Sequence, residues 1–194
     1  MPSPTRKKLI EAAAKRFYRD GFRNVGIDQI LSDVGISKTA FYKHFESKDD
    51  LMLAVLDDKD QWLRQTFADM VHQRGGESGE SKLMALFDVV DFITAGDDFA
   101  GCIFVNAAME FPLPHDPAHQ AAARSKQSME ALIERIATEA GALQPRVLAQ
   151  ELCLIMEGVY VTKHVTRNPQ AVHIARRIAR QVIATHLPAA SAAQ

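Results

Sequence analysis

The chain has only two cysteines, Cys102 and Cys153, in 194 residues. That is too few for a disulfide framework, and they lack the close spacing of a zinc site. Both sit in apolar surroundings and read as buried thiols. No apolar run approaches the length of a membrane span. The opening Met-Pro-Ser-Pro-Thr-Arg-Lys-Lys is basic, but charged or polar residues soon interrupt each apolar stretch after it, so no signal-peptide core follows. These absences predict a soluble cytoplasmic protein with no membrane partner. There is no Gly-x-Ser-x-Gly elbow, no phosphate-cradling glycine loop and no zinc-protease histidine motif, so no enzyme and no cofactor are expected. His115 and His119 are four residues apart, but Pro117 between them spoils a continuous helix face and no third ligand is evident, which predicts no metal site. Internal repeats are also absent. Aromatics are sparse at 7%, yet 47% apolar and 24% charged residues fit one or two globular domains. A chain of this length buries roughly 70% of its unfolded surface.

The formal net charge is only -1, which by itself predicts no nucleic-acid partner, but its distribution is uneven. Residues 1–48 carry ten basic and five acidic side chains, whereas residues 49–194 carry thirteen and nineteen. The first quarter is basic and the remainder acidic.

Strand signals are scarce, and apolar residues recur at three- and four-residue spacing, as in Leu9, Ile10, Ala13 and Phe17, which predicts an all-α fold. Ser3 can cap an opening helix with Pro4 in its first turn, and Gly21 sits where that helix stops. Arg6, Lys7 and Lys8 crowd its start against the helix dipole, either as solvated charge or as a phosphate-facing arm. Ile27 to Val34 reads as a second helix. Gly35 follows, and Ser37 then caps a third helix, Lys38 to His44, so that two short helices flank a glycine turn in a helix-turn-helix arrangement. A longer helix opens at Ser47-Lys48-Asp49-Asp50 with a capping box and runs to about His72. Five more are expected: Ser81 to Thr94, Cys102 to Glu110, Pro117 to Ala140, Pro145 to Thr166 and Pro169 to His186. Asn168 would cap the last, with breakers between them at Gly96 to Gly101, Phe111 to Pro117 and Gly141. The expected organisation is a DNA-binding domain at residues 1–48, a helical effector-binding and dimerisation domain at 49–188, and a flexible tail at 189–194.

The chemistry concentrates between Ile27 and Lys48. From Val34 through Phe45 there is no Asp or Glu, although helix starts normally attract acids. Ser37, Lys38, Thr39 and Ala40 leave backbone N–H groups and small side chains at a helix start, an end that binds anions. Phe41 and Phe45 share one helix face, while Thr39, Tyr42 and Lys43 gather on another. The first pair anchors the helix, and the second set faces outward.

Gly21-Phe22, Ile30, Gly35-Ile36-Ser37-Lys38, Phe41-Tyr42-Lys43-His44-Phe45 and Ser47-Lys48-Asp49-Asp50-Leu51 together resemble the DNA-binding domain of TetR-family regulators over about residues 5–51. The helix count and the segment Gly101-Cys102-Ile103-Phe104-Val105-Asn106 are also similar to many members. The resemblance implies that Ser37, Lys38, Thr39 and Ala40 lie at the groove-facing start of a recognition helix. It further implies that Tyr42 and Lys43 contact phosphate or base edges. His44 serves either DNA or packing, and Lys48, opposed to the dipole of its own helix, is expected to meet phosphate. The sequence departs from the family at Val25 and Gly26, where Thr or Ser often begins the second helix. The hydroxyl contact to phosphate that the resemblance implies there is therefore missing, and Arg23, Asn24 or Gln29 are the candidates to substitute for it.

One recognition helix presents few base-reading side chains, so a homodimer on a near-palindromic double-stranded DNA operator is expected. The last two helices offer either core or dimer surface through Val147, Leu148, Leu152, Ile155 and Val159 on one and Val172, Ala175, Ile178, Val182 and Ile183 on the other. Arg176, Arg177 and Arg180 supply a solvated edge. The acidic portion is expected to sense a small, largely apolar effector. Its candidate lining is Trp62, Phe67, Phe87, Phe104, Met109, Met129, Met156 and Tyr160, with Asn106, Glu110 or His164 as polar contacts. The expectation is thus a ligand-responsive repressor. The rival is a helical interaction or carrier module that no longer reads DNA.

Overall fold

The computed structural model describes residues 3–188. The tail expected at 189–194 lies outside the described residues. Among those residues the regular structure is nine helices with no strand: α1 Pro4–Asp20, α2 Ile27–Val34, α3 Lys38–Phe41, α4 Lys48–Arg74, α5 Gly79–Thr94, α6 Ile103–Glu110, α7 Pro117–Glu139, α8 Pro145–Thr166 and α9 Ala171–His186.

Local chemistry explains most boundaries. Arg6 N–H donates to Ser3 Oγ at 3.2 Å, and Pro4 occupies the first helical turn of α1. Gly35 adopts φ 73°, the left-handed conformation that closes α2 and turns the chain into α3. Helix α3 is shorter than the expected Lys38 to His44. Its hydrogen bonding runs on through Phe45 N–H to Phe41 O at 3.1 Å, but His44 N–H reaches back three residues to the same carbonyl at 2.8 Å. This tightened turn ends the α-helix while still delivering Phe45 into the interior. At α4, Asp50 N–H donates to Ser47 Oγ at 3.0 Å, whereas the Asp50 carboxylate accepts from Glu46 N–H rather than from Ser47. The capping box is therefore displaced by one residue in its return bond. Helix α9 begins two residues later than the expected Pro169, because Asn168 Oδ1 accepts Gln170 N–H at 2.9 Å and holds residues 168–170 in a turn.

The described residues form two compact units. One comprises the chain through Trp62 together with Cys102–Ser125; the other comprises Leu63–Gly101 together with the chain from Lys126 onward. The boundary falls inside α4 and again inside α7. In the first unit, Leu9, Ala13, Phe17, Phe22, Ile30, Phe41, Phe45, Leu51 and Val55 are buried. Arg16 ties α1 to α2 through a two-pronged bond to Asp33 at 2.6 and 2.7 Å, and this partner holds the Asp33 carboxyl below the usual carboxylate range.

The second unit buries a continuous cluster from α5, α8 and α9, including Leu83, Phe87, Leu148, Leu152, Met156, Val172, Ala179 and Ile183, with Phe67 from α4 and Ile133 from α7. Gly79 is required at the start of α5, since a Cβ there would lie 2.4 Å from the Ala140 carbonyl oxygen. Arg177 and Arg180 are exposed, as expected of a solvated edge, with Arg180 3.7 Å from Glu80, whereas Arg176 is half-buried and pairs with Asp88 to tie α9 to α5.

Candidate nucleic-acid interface

In the first unit, α3 has the two faces that the sequence predicts for it. Phe41 and Phe45 are buried with ring centroids 5.8 Å apart, while Lys38, Thr39, Tyr42 and Lys43 are exposed. Tyr42 packs edge-on against Phe41 at 5.2 Å yet remains 52% exposed, so its ring is braced from behind and its far side is free to meet a partner surface. Ser37 Oγ accepts Ala40 N–H at 3.2 Å and serves as the helix cap. Ala40 is half-buried.

Lys38 Nζ lies 4.0 Å from Asp28, an exposed and weak pairing that leaves it available to a competing anion. His44 is half-buried, with Nδ1 3.5 Å from Ser3 Oγ, which places it against the start of α1. Arg6 stacks 4.9 Å over the Phe45 ring, whereas Lys7 forms a loose 3.8 Å pair with Glu11 along α1. Lys48 Nζ donates to the Arg23 carbonyl at 3.4 Å.

At the departure of Val25 and Gly26, the start of α2 is held within the chain. Gln29 Oε1 accepts Gly26 N–H at 2.8 Å and Val25 is buried, so the start of α2 is held without a hydroxyl. Arg23 stacks over Phe111 at 4.9 Å and Asn24 Nδ2 donates to Asp20 O.

Residues 9–55 match the pattern of bacterial regulatory proteins of the tetR family, and residues 79–179 match the tetracyclin repressor-like C-terminal domain. The chain belongs to the TetR family. It is a DNA-binding transcriptional regulator. It is similar along its length to the HTH-type transcriptional regulator YjdC of Escherichia coli strain K12, 22% identical over 92% of this chain and 93% of that protein. It is likewise similar to the HTH-type transcriptional regulator BetI of Escherichia coli O17:K52:H18, 26% identical over 97% and 96%. The fold matches the crystal structure of SCO4454, a TetR-family transcriptional regulator from Streptomyces coelicolor, with a TM-score of 0.89 at 23% identity over 97% of this chain and 92% of that one.

The side chains expected to line an effector pocket are divided between the two units of this TetR-family chain. Trp62, Phe104, Asn106, Met109 and Glu110 fall in the first unit; Phe67, Phe87, Met129, Met156, Tyr160 and His164 fall in the second. Phe67, Phe87, Met129 and Met156 are packed into the second unit's core, with Tyr160 against it. His164 is exposed, as is Met109 at 76%. The Glu110 carboxylate is engaged by the backbone of Phe22 and Arg23. The sequence reading passed over Thr94, whose Oγ1 is buried in the second unit with no hydrogen-bond partner among the described residues.

The ten residues expected at a dimer surface also separate. Leu148, Leu152, Val159, Val172, Ala175 and Ile183 are buried in the second unit's own core, and Ile155 and Val182 pack against it. Only Val147 and Ile178 are exposed. The outward apolar face of α8 is instead Val147, Leu154, Val161 and Val165, beside Ile174 and Ile178 on α9.

His119 Nδ1 donates to the Phe111 carbonyl at 3.0 Å, and among the described residues no three His, Cys, Asp or Glu side chains gather as metal ligands. No helix among the described residues is long and apolar enough to cross a membrane.

Proposed function

We propose that this TetR-family regulator is a cytoplasmic homodimeric repressor that reads a near-palindromic operator through α3 and is released from it by a small, largely apolar effector. The observation that carries the DNA-reading part is the two-faced α3. Its aromatic pair is buried, and its acid-free outer side presents Lys38, Thr39, Tyr42 and Lys43. Lys38 and Lys43 neutralise phosphates, Tyr42 and Thr39 meet phosphate or base edges, and Ser37 and Ala40 let the helix start approach the backbone closely. Lys48 and His44 flank this surface. Two copies related by a two-fold axis place their α3 helices about 34–36 Å apart, one turn of DNA.

Dimerisation is supported by the exposed α8 stripe. Val147, Leu154 and Val161 recur at seven-residue intervals, and Val165 continues the row. Gly158, in the middle of that stripe, is exposed with nothing within 4 Å of its Cβ position, which lets a partner helix come close. Together with Ile174 and Ile178 the stripe forms an apolar patch of the kind that marks association surfaces, and pairing two copies gives a four-helix interface.

Effector sensing is supported by Thr94. A buried hydroxyl without a partner is costly, and a polar atom of a bound effector relieves that cost. A ligand that prefers the dimer shape with misplaced recognition helices weakens operator binding tenfold for each 1.4 kcal/mol, about, of that preference.

The test is selection of bound duplexes from a random pool. The expected result is a two-fold symmetric site whose affinity falls steeply with salt, and a Tyr42→Ala variant that does not enrich it. Failure to enrich any site, with no complex even at low salt, refutes the proposal in favour of an interaction or carrier module.

A further inference from the structure

We infer that Glu110 is a positioning residue for DNA binding: from the end of α6 its carboxylate clamps the turn between α1 and α2 and so fixes the reading head. The inference rests on the assignment of α3 as the DNA-contacting helix. The α1–α2 turn opens at Gly21, φ 85°, and its next two backbone N–H groups point at one carboxylate far along the chain. Phe22 N–H donates to Glu110 Oε1 at 2.9 Å and Arg23 N–H to Oε2 at 2.8 Å. Bonds from N–H groups to an ionised carboxylate are stronger than neutral ones, and a paired set also fixes orientation.

Side chains within the turn are engaged elsewhere. Asn24 spends its amide on the Asp20 carbonyl, and Gln29 spends its oxygen on Gly26 N–H. The second helix starts at a glycine, without the side-chain cap a Ser or Thr there would supply. Glu110 provides from a distant segment what the turn lacks. Space is kept for it, since a Cβ at Gly21 would lie 3.1 Å from Oε1.

The clamp reaches DNA-facing residues through the same turn. The buried Phe22 ring stacks on Phe17 at 5.1 Å and meets Phe111 edge-on at 6.4 Å. The Arg23 guanidinium lies 4.9 Å over Phe111. The Arg23 carbonyl accepts from Lys48 Nζ. The two backbone groups of Arg23 thus join the end of α6 to the first residue of α4, where a phosphate contact is proposed. All of these residues lie within the first unit.

Amide hydrogen exchange on the DNA-free protein, followed by titration of a duplex recovered by the wild-type chain from a random pool, tests the inference. In Glu110→Ala the Phe22 and Arg23 amides exchange faster by about tenfold or more, and affinity for the duplex falls by a similar factor. Glu110→Gln keeps the shape but only one acceptor oxygen, so it falls between. The slope of log affinity against log salt stays at the wild-type value in both, because the same phosphates are neutralised. Unchanged exchange at Phe22 and Arg23 in both variants overturns the clamp. Faster exchange with unchanged affinity overturns the positioning role. If Glu110→Ala does not fold, Glu110→Gln decides, and wild-type values on both readouts overturn the inference. If the wild-type chain recovers no duplex, the DNA assignment fails and the positioning role with it, while the exchange arm still reads the clamp by itself.

Discussion

Leu152 and Leu154 lie two residues apart on α8 and face opposite fates. Leu152 is fully buried in the second unit, while Leu154 is 70% exposed in a single protomer. On the proposed dimer interface, replacing Leu154 with Lys therefore removes apolar surface that the second copy covers. Complete burial of a leucine side chain contributes about 1.5–3 kcal/mol. Scaled to the exposed share, the loss is about 1–2 kcal/mol per protomer, and two-fold symmetry doubles it to about 2–4 kcal/mol per dimer. At about 1.4 kcal/mol per factor of ten, the dimer dissociation constant rises by about 30- to 1,000-fold. The thermal stability of the separated protomer changes by only about 0.5 kcal/mol or less, as for other surface positions. Leu152→Ala has the opposite signature, a loss of about 2–5 kcal/mol of folding stability. Sedimentation across a concentration series, paired with denaturant unfolding, separates the two variants. A Leu154→Lys protein that dimerises as tightly as the wild type would refute assignment of this face to the interface.

Phe41→Ala lowers folding stability by about 3–5 kcal/mol, since the side chain is completely buried against Phe45 and Tyr42; urea denaturation measures it, and a loss below about 1 kcal/mol contradicts the anchoring role. Burial, with Glu130 and Glu157 nearby, pushes the Cys153 thiol up to about 11. The folded thiol thus holds its proton where the unfolded one has lost it, so stability falls as pH rises from about 8.5 toward that value. Cys153→Ala flattens this alkaline slope, and iodoacetamide at pH 8 labels Cys153 of the folded chain far more slowly than that of the unfolded chain. A slope identical in both proteins contradicts the shift.

Much of the two-faced arrangement of α3 was legible in the sequence. The Phe41 and Phe45 spacing named the buried face of α3, and the missing acids named the other. Ser3, Pro4, Gly21, Gly35 and Ser47 act locally, and their effects on α1, α2 and α4 are visible in a handful of neighbouring residues. The length of α3 was not legible, because its last turn tightens to bring Phe45 inward. Which apolar row of α8 stays exposed was not legible for a different reason. Helix α8 is apolar on two sides, and periodicity favours the stronger row, Leu148, Leu152, Met156 and Val159, which the protomer uses for its own core.

Local composition and spacing determined that this chain is helical, where most helices begin and end, and which face of α3 turns outward, because caps, glycine turns and amphipathic rows act over a few residues. Tertiary structure alone decided which apolar row of α8 stays exposed and that Glu110 belongs to the α1–α2 turn. Both outcomes depend on partners brought together from distant segments, such as Phe22 and Glu110 at a separation of 88 residues. No local pattern encodes which of several available donors or apolar faces a distant group will meet once the chain has closed.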